Sequence, residues 1–380
     1  MLKKVYITVF GSGLGHASRM VRVANRLKAE GVEVKFSSSS EGSIYIRKKG
    51  YTCYNIPLID ISWKDGEIYV RGSLIRAPRL IFTFLSQIGK EIKIMKAFKP
   101  DLVLSDSRLS SIIASKLLSI PCILITNQIK VILPSKRFIV KFLERIEEKI
   151  LGFLWSLSDR IFIPDLPPPY TIAEENVKGL RASKVKYLGF FPPLKEDNIE
   201  KLDLLRLKEK GKSLIFAQIS GPPLTRPKIV KSLIDLALKL SKFNFVISLG
   251  SPRASTKIKK IKNSLIFGWC PYVEELFEIS DLILIRGGHS SIGHALWSGK
   301  PMICIPIRRH SEQISNAKKV EKLGAGIYLD PDNLNEEFLL NSIERLFKGS
   351  YYKRCREIMN LCRKMDGLEA LLEEIYKIKS

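Results

Sequence analysis

Residues 281–326 read DLILIRGGHSSIGHALWSGKPMICIPIRRHSEQISNAKKVEKLGAG, and their pattern decides the fold. The apolar run 282–285 predicts a buried strand, and Gly287 and Gly288 open the turn that leads into a helical pattern. A second apolar run, 302–305, follows that helix. Strands and helices in alternation predict a parallel sheet covered by helices, with ligand-binding loops at the carboxyl ends of its strands.

The same alternation is repeated in both halves of the chain. Apolar, β-branched runs predict strands at 5–10, 32–36, 101–105, 214–217, 245–249, 264–267, 282–285 and 302–305. Because 380 residues exceed what one hydrophobic core usually holds, we predict an α/β protein of two Rossmann-like, doubly wound, parallel-sheet domains. The predicted boundaries are 1–190 for the first domain, 191–212 for a linker rich in charges and prolines, 213–348 for the second domain, and 349–380 for a long C-terminal helical segment that packs back.

Charge and cysteine content limit the class of protein. The chain carries 63 Lys and Arg against 38 Asp and Glu, a formal net charge of +25 at pH 7, and such a surface attracts polyanions or anionic membranes. The six cysteines form no C-x-x-C pair and lie mostly in apolar runs, which is typical of buried free thiols in a reducing compartment. No run approaches the ~18 apolar residues of a membrane span, and the first residues do not resemble a signal peptide. We therefore expect a cytoplasmic protein that is neither secreted nor transmembrane.

The segment Arg286–Ser291 combines small residues, backbone amides and two hydroxyls at the start of a predicted helix. Helix N-termini and glycine-rich turns bind phosphate groups, so this segment is expected to hold a diphosphate. After the next strand, His310, Glu312 and Gln313 form a polar cluster that could hydrogen-bond sugar hydroxyls. A solvated loop is the alternative interpretation of that cluster, and the preceding phosphate-binding turn favours the ligand site.

The loop Gly11–His16 joins the first predicted strand to the first helix, and Gly13 and Gly15 leave its amides accessible. Its G-x-G-x-G-H spacing is not a dinucleotide fingerprint, so a nicotinamide enzyme is not expected. His16 falls at the helix N-terminus, where the helix dipole disfavours an imidazolium and leaves the imidazole able to accept a proton. Asp106, at the end of another strand, could orient it. A simple helix cap is the alternative for each of these two residues.

Five segments of the second half resemble, in this order, the donor-binding signature of the nucleotide-sugar glycosyltransferases with GT-B fold. They are GWCPYVEEL from 268, GGHSSIGHAL from 287, GKPMICIP from 299, HSEQISNA from 310 and LGAG from 323. In the first half, GLGHASR from 13 and PDLVLSD from 100 are similar to that family's Gly-His acceptor loop and to the strand that carries the aspartate of its His-Asp dyad. The family includes the plant and animal UDP-glycosyltransferases and the N-acetylglucosaminyltransferase that completes the lipid-linked peptidoglycan precursor. The resemblance spans nearly the whole chain.

The resemblance implies a GT-B fold, in which the two domains face a cleft. It also implies an inverting sugar transfer from a nucleotide-sugar donor, with UDP as the expected nucleotide, to an acceptor hydroxyl. It implies that His16 deprotonates the acceptor with help from Asp106, and that neither a metal nor a cofactor is needed. The implied donor-binding residues are Ser220, Trp269, Arg286, Gly287, Gly288, His289, Ser290, Ser291, His294, His310, Glu312 and Gln313, and the implied acceptor loop contains Gly13, Gly15 and Arg19. The family usually has an acidic residue that holds the ribose at the position of His294, so this departure leaves the ribose contact open. Asp330–Asp332 matches a metal-binding D-x-D motif superficially, but its place after a strand favours a turn.

Two stretches of the first half, 74–99 and 129–155, combine basic, apolar and aromatic residues, which is typical of helices in a membrane interface. Glu91 is the one acid of the first stretch. We predict binding to the anionic inner face of a membrane through Arg76, Arg79, Lys93, Lys96, Lys136, Arg137 and Lys141, beside Phe82, Phe84, Phe138 and Phe142. Ordinary solvated helix faces are the alternative. Nucleic acid is not an expected partner, because no nucleic-acid-binding motif occurs.

The leading hypothesis is therefore an inverting glycosyltransferase that acts on a lipid-linked or membrane-associated hydroxyl. A nucleotide-sugar hydrolase is the enzymatic alternative, because a GT-B-like hydrolase has a similar G-x-G-H-x-x-R loop, here residues 13–19, with water as the acceptor. A non-catalytic sugar-nucleotide-binding subunit of a membrane complex is the other alternative.

Overall fold

The computed structural model describes residues 2–11, 13–59, 63–64, 67–68, 77–129, 138–178, 185–194 and 212–378. The chain divides into two compact units. The first contains Met1–Lys64, Ile68–Phe191 and Met365–Ser380, and the second contains Asp65–Glu67 and Pro192–Lys364. The linker predicted at 191–212 falls largely at 195–211, outside the described residues.

Parallel strands form the centre of the first unit. The strands in chain order are β1 (Lys4–Val9), β2 (Glu33–Ser38), β3 (Cys53–Asn55), β4 (Trp63–Lys64), β5 (Glu67–Ile68), β6 (Leu102–Asp106), β7 (Cys122–Ile125), β8 (Arg160–Ile163) and β9 (Val185–Tyr187). Across the main sheet their order is β3-β2-β1-β6-β7-β8-β9, and β4 pairs separately with β5. The chain winds outward in opposite directions from β1 and β6, so the carboxyl ends of these two neighbours form the crevice where doubly wound sheets bind ligands.

Helices connect these strands and cover the sheet. They are α1 (Gly15–Ala29), α2 (Ser40–Lys48), α3 (Ala77–Phe98), α4 (Leu109–Leu117), α5 (Phe138–Trp155) and the short α6 (Glu174–Val177). Tyr6 of β1 packs with Met95 and Phe98 of α3 and with Ile112 of α4 in one buried cluster. On α1, Val21, Ala24 and Leu27 are fully buried, as the helical spacing of these apolar residues predicts.

The second unit repeats the architecture. Its strands are β10 (Ser213–Gln218), β11 (Phe243–Ser248), β12 (Ile258–Ile261), β13 (Ser264–Phe267), β14 (Leu282–Ile285), β15 (Met302–Cys304) and β16 (Gly326–Tyr328). Their order is β12-β13-β11-β10-β14-β15-β16, and all neighbours are parallel except β12 and β13. The winding direction reverses between β10 and β14, which places the ligand-binding crevice of this unit at their carboxyl ends. The predicted α/β class with two doubly wound sheets is confirmed.

The helices of the second unit are α7 (Pro227–Lys239), α8 (Val273–Ile279), α9 (His289–Trp297), α10 (Ser311–Lys322), α11 (Glu336–Lys348) and α12 (Tyr351–Lys364). A large apolar cluster joins α7 and α11 to the sheet through Leu233, Leu236, Leu339 and Ile343. The apolar spacing of both helices places these side chains on one face, which is why they share a core.

The long helical segment predicted at 349–380 is two helices, and the interpretation as one continuous helix is wrong. The chain leaves helical geometry at Asp366, whose carboxylate accepts hydrogen bonds from the amides of Leu368 and Glu369 and so begins a new helix, α13 (Gly367–Tyr376). This helix belongs to the first unit, where Leu371 and Ile375 are buried. Polar contacts add to the docking, since the Gly367 amide donates to the Phe190 carbonyl at 3.0 Å and Lys186 donates to Glu374 at 2.9 Å.

Candidate functional site

In the first unit, His16 and Asp106 meet at the carboxyl ends of β1 and β6. His16 lies in the first turn of α1, directly after the loop that follows β1, and Asp106 is the last residue of β6. The His16 Nδ1 and Asp106 Oδ1 atoms are 2.7 Å apart. The His16 side chain is 22% exposed whereas that of Asp106 is fully buried, so the imidazole is the partner that a ligand can reach. The N-cap residues of α1 and α4 are Leu14 and Arg108, so capping does not explain either side chain.

Arg19, one turn further along α1, binds the same carboxylate. Its Nε donates to Asp106 Oδ2 at 2.9 Å and its Nη2 donates to Oδ1 at 2.7 Å. Burial alone would raise the pKa of Asp106, but the charge and hydrogen bonds of Arg19, together with those of His16, hold this pKa at about 2. Asp106 is therefore ionised at neutral pH. Arg19, which the resemblance assigned to the acceptor loop, binds this carboxylate, and its Nη2 is also 3.1 Å from His16 Nδ1.

Two contacts at Nδ1 bear on the proton of the neutral imidazole. Asp106 Oδ1, which only accepts hydrogen bonds, is 2.7 Å away, and Arg19 Nη2, which only donates, is 3.1 Å away. Because the carboxylate contact is the shorter one, we assign the proton of His16 to Nδ1. The lone pair is then on Nε2, the nitrogen that points away from Asp106. The ring of Phe10 lies edge-on to the imidazole, with centroids 5.8 Å apart, and adds to its positioning. Such an imidazole can accept a proton, and its buried carboxylate stabilises the positive charge that results.

Polar residues after the neighbouring strand β7 were missed by the sequence analysis. Asp106 pairs in register with Ile125, the last residue of β7, so Thr126, Asn127 and Gln128 leave the sheet beside it. The Ser107 hydroxyl donates to Thr126 Oγ1 at 3.1 Å, which joins the two turns. A short apolar strand followed by three polar residues was the available signal. Thr126 and Asn127 are buried, and Gln128 is the partly exposed member of the three.

In the second unit, the turn Arg286–Ser291 connects β14 to α9 at the crevice beside β10. Gly287 has φ +77°, and a Cβ there would lie 2.7 Å from the Gln313 carbonyl oxygen, so only glycine fits. The buried amide of Asn316, on α10, donates to the Gly287 carbonyl at 3.2 Å and holds the turn from behind. Ser291, in the first turn of α9, donates to Gln218 at the end of β10 at 3.0 Å. Asn316 and Gln218 were not identified from the sequence.

Arg286 is buried beneath this turn and joins three loops. Its Nε donates to the Ile305 carbonyl at 3.0 Å, and its Nη1 donates to the carbonyl and hydroxyl of Thr225 at 3.1 and 3.3 Å. Burial, and then the nearby guanidinium of Arg226, lower the pKa of Arg286 to about 10. Two buried cations beside a helix N-terminus make this crevice electropositive. Arg226 was not identified from the sequence.

The polar cluster after β15 is placed by hydrogen bonds to its own loop. His310 is the N-cap of α10, and its Nδ1 accepts from the Gln313 amide at 3.5 Å. Burial lowers the pKa of His310 and Arg286 adds to this, whereas Glu312 opposes it. The Gln313 side-chain oxygen accepts from the Ile307 amide at 2.9 Å, while Glu312 is partly exposed in the first turn of α10. The structure therefore brings these three residues to the loop that neighbours the Gly287 turn.

The remaining expected donor-binding residues follow β10 and β13 or belong to α9. Ser220 follows β10, His289 and Ser290 begin α9, and Trp269 follows β13 with a partly exposed side chain. His294, at the position where the family usually has an acid, has its Nδ1 3.5 Å from Glu274 Oε2 of α8. A carboxylate is thus present beside this position although it comes from another helix.

The Asp330–Asp332 segment is a turn. The Asp332 amide donates to Asp330 Oδ1 at 2.9 Å, and the following helix α11 has Asn335 as its N-cap. In the described ranges, no group of three or more His, Cys, Asp or Glu side chains is arranged to hold a metal ion. All six cysteines are buried free thiols.

Comparisons with known proteins agree on one kind of enzyme. The model of the glycosyltransferase family 28 C-terminal domain matches residues 227–366, and that of glycosyl transferase family 1 matches residues 3–142. An uncharacterized glycosyltransferase of Methanosarcina mazei is 30% identical over 384 residues, which cover 98% of each chain. The UDP-N-acetylglucosamine--N-acetylmuramyl-(pentapeptide) pyrophosphoryl-undecaprenol N-acetylglucosamine transferase of Clostridium botulinum is 27% identical over 395 residues, 99% of each chain.

Among solved structures, spinosyn rhamnosyltransferase in complex with spinosyn aglycone superposes with a TM-score of 0.70 at 16% identity, over 99% of this chain and all of that one. At this level of identity the likeness is one of fold.

Proposed function

Because this chain belongs to the nucleotide-sugar glycosyltransferases of GT-B fold, we propose that it moves a sugar from a UDP-sugar to a hydroxyl of a lipid-linked or membrane-associated acceptor, with inversion at the anomeric carbon. The observation that carries this proposal is the pairing of a partly exposed imidazole, His16, with a fully buried carboxylate, Asp106. The name of the Clostridium relative supports both the UDP-sugar and the lipid-linked acceptor.

In the proposed reaction, His16 Nε2 takes the proton of the acceptor hydroxyl as its oxygen attacks the anomeric carbon. The bond between that carbon and the diphosphate oxygen breaks, and the nucleoside diphosphate leaves with the electron pair. Asp106 stabilises the imidazolium that forms, through the 2.7 Å contact with Nδ1. The turn Gly287–Ser291 and the N-terminus of α9 would bind the departing phosphates, and the Arg286 charge buried below them favours an anion there.

The proposal is tested by incubating the purified protein with UDP-N-acetylglucosamine, other UDP-sugars and dTDP- and GDP-sugars, each with and without a membrane lipid extract. The expected result is release of UDP that depends on the extract. Release without any acceptor would mean that water is the acceptor and the protein is a hydrolase. Binding without release in every reaction would contradict catalysis.

The exposed surface of α3 and α5 supports a membrane-bound acceptor. Phe82 is 74% exposed on the face of α3 that also carries Arg79, Lys93 and Lys96, opposite the buried Glu91. On α5, the exposed apolar side chains of Ile146, Ile150 and Phe153 recur at helical spacing. Apolar side chains among cations on a helix face are suited to the interface of an anionic bilayer. Of the predicted set, Arg76, Lys136 and Arg137, and the side chains of Lys141, Phe138 and Phe142, lie outside the described part of the chain.

We expect the protein to co-sediment with anionic liposomes at low salt, to be released as salt screens the surface, and to bind neutral liposomes poorly. Changing Arg79, Lys93 and Lys96 to Gln should weaken this binding by ~3 kcal/mol, about a hundredfold. The matched control changes Lys257, Lys259 and Lys260, which are exposed on and beside the edge strand β12, to Gln. Equal weakening by both variants would mean that total charge, not this helix, binds the lipid, and no sedimentation of the wild type would remove the membrane from the proposal.

A cytoplasmic enzyme attached to the inner face of the membrane is consistent with these features. In the part of the chain that the structure describes, no helix is both long and apolar enough to cross a bilayer.

A further inference from the structure

Glu91 belongs to a buried polar network behind the His16–Asp106 pair. It is fully buried on α3, although the residues around it in the sequence are basic. Its Oε2 accepts a hydrogen bond from the Tyr6 hydroxyl at 2.6 Å, and its Oε1 accepts one from the Ser37 hydroxyl at 2.9 Å. Burial raises the pKa of Glu91 above its ordinary value, and Arg108, Tyr6 and Ser37 oppose that rise. Because burial of an unpaired carboxylate costs free energy, a buried glutamate is expected to have a charged partner.

That partner is Arg108, which reaches both segments that carry the dyad. Its Nε is 3.6 Å from Glu91 Oε1, and its Nη1 donates to the Val9 carbonyl at 2.9 Å. Val9 ends β1 and begins the approach to His16, while Arg108 stands two residues after Asp106. The Arg108 side chain therefore links the turn after Asp106 to the loop before His16, and Glu91 compensates its charge inside the core.

The turn between Asp106 and Arg108 needs such support. Ser107 has φ +54°, in the left-handed region that side chains other than glycine rarely adopt and that persists only where the surroundings determine it. The hydroxyls of Ser105 and Ser111 both donate to the Arg108 carbonyl at 2.8 Å. Hydrogen bonds therefore hold the backbone of this turn as well as the Arg108 side chain.

We propose that Glu91 and Arg108 are positioning residues, which hold the turn after Asp106 in the geometry that brings its carboxylate to His16. This inference rests on the proposed role of His16 as the base. Without Glu91, the Arg108 guanidinium would be a buried cation facing neutral groups, and it would leave Val9 for a more hydrated position. Asp106 would then lose its fixed place while the donor-binding turn, which is in the other unit, is untouched.

The kinetic test compares Glu91→Gln and Arg108→Met with the wild type. Each variant is expected to lower kcat about ten- to a hundredfold with an unchanged donor KM, because small misplacements of a catalytic group have effects of that size. Gln87→Met is the matched control, since Gln87 is buried on the same helix and donates to the Pro57 carbonyl at 2.7 Å. It should lower the melting temperature without lowering kcat. Glu91→Gln should also have little further effect in an Asp106→Asn background, whereas a merely structural role predicts that the two losses multiply.

A spectroscopic test does not depend on sugar transfer. In protein with 15N-labelled histidine, the proton that His16 Nδ1 shares with Asp106 should give a downfield signal, identified by its loss in His16→Gln. We expect this signal to shift or disappear in Glu91→Gln, to shift less in Tyr6→Phe, which removes one hydrogen bond at constant charge, and to stay in place in Gln87→Met. If Glu91→Gln does not fold, Tyr6→Phe decides alone. A folded variant with an unchanged His16 signal and an unchanged kcat overturns the inference, and a shifted signal in a protein that transfers no sugar would overturn only the proposed function.

Discussion

Replacing His16 by alanine is expected to lower kcat by about 10²–10⁴ while donor affinity stays nearly the same, because a general base acts on the acceptor in the transition state. The described structure places its partners, Asp106 and Arg19, in the same unit, whereas the expected donor-binding residues belong to the other unit. Single-turnover rates with a saturating donor, together with calorimetric titration of UDP, measure the two quantities separately. A loss of UDP affinity parallel to the loss of rate would contradict the assignment of His16 to the acceptor.

Asp106→Asn is the companion variant, with a smaller loss of rate and a larger loss of stability. The amide would still contact His16, but Arg19, whose side chain is only 5% exposed, would lose the carboxylate that binds it twice. Removing one partner of a buried ion pair typically lowers the free energy of unfolding by about 3–5 kcal/mol. Near-normal turnover in both the His16 and Asp106 variants would show that the pair serves stability alone.

Gly288→Val is expected to abolish donor binding while the protein stays folded. Gly288 is the N-cap of α9 with φ −66°, a conformation that valine adopts, and a Cβ there meets no atom of the described residues within 4 Å. The added side chain would fill the space before the helix N-terminus, where the phosphates are proposed to bind. We expect calorimetry with UDP to show affinity reduced by at least about a hundredfold, which at ~1.4 kcal/mol per tenfold change is close to 3 kcal/mol. The melting temperature should change little.

The neighbouring glycine provides the control for this experiment. Gly287→Ala places a Cβ 2.7 Å from the Gln313 carbonyl at a backbone angle that alanine rarely adopts, so this variant should lose stability. The two substitutions therefore distinguish an effect on UDP binding, expected for Gly288→Val, from an effect on stability, expected for Gly287→Ala. A folded Gly288→Val protein that binds UDP as the wild type does would remove this turn from the donor site.

Apolar runs bounded by turn residues predicted most of the central strands, although β7 and β8 inside the first sheet were not predicted. β13 and β14 begin and end at the residues predicted, because both are mainly apolar and lie inside a sheet. The edge strands β9, β12 and β16 were not predicted. β9 and β16 have only three residues each, and β12 exposes Lys259 and Lys260, so neither the length nor the hydrophobicity of these strands distinguishes them from loops. The break at Asp366 was missed because the apolar spacing continues across it, and only the capping contacts reveal it.

The meeting of His16 with Asp106 could be predicted because both follow strands whose carboxyl ends share an edge of the sheet. The groups that stabilise the pair could not. Arg19 contacts Asp106 across 87 positions of sequence, and Glu91 contacts Tyr6 across 85, so no local pattern records these contacts. Glu91 was read as part of a basic, exposed helix, and its burial depends on the turn of α3 that faces β1 and β2. Buried polar partners of this kind require the fold itself.

The position of α13 has a consequence for biosynthesis. A nascent chain completes the strands of the first unit before residues 192–364 are made, yet the helix that covers part of that unit, with Leu371 and Ile375 buried, comes only afterwards. At translation rates of about 5–20 residues per second, the apolar surface that receives α13 stays uncovered for on the order of 10–30 s. The second unit is built from one nearly continuous segment, so it can fold before α13 of the first unit has been synthesised. The first unit is thus the last to be completed during synthesis, although most of it is made first.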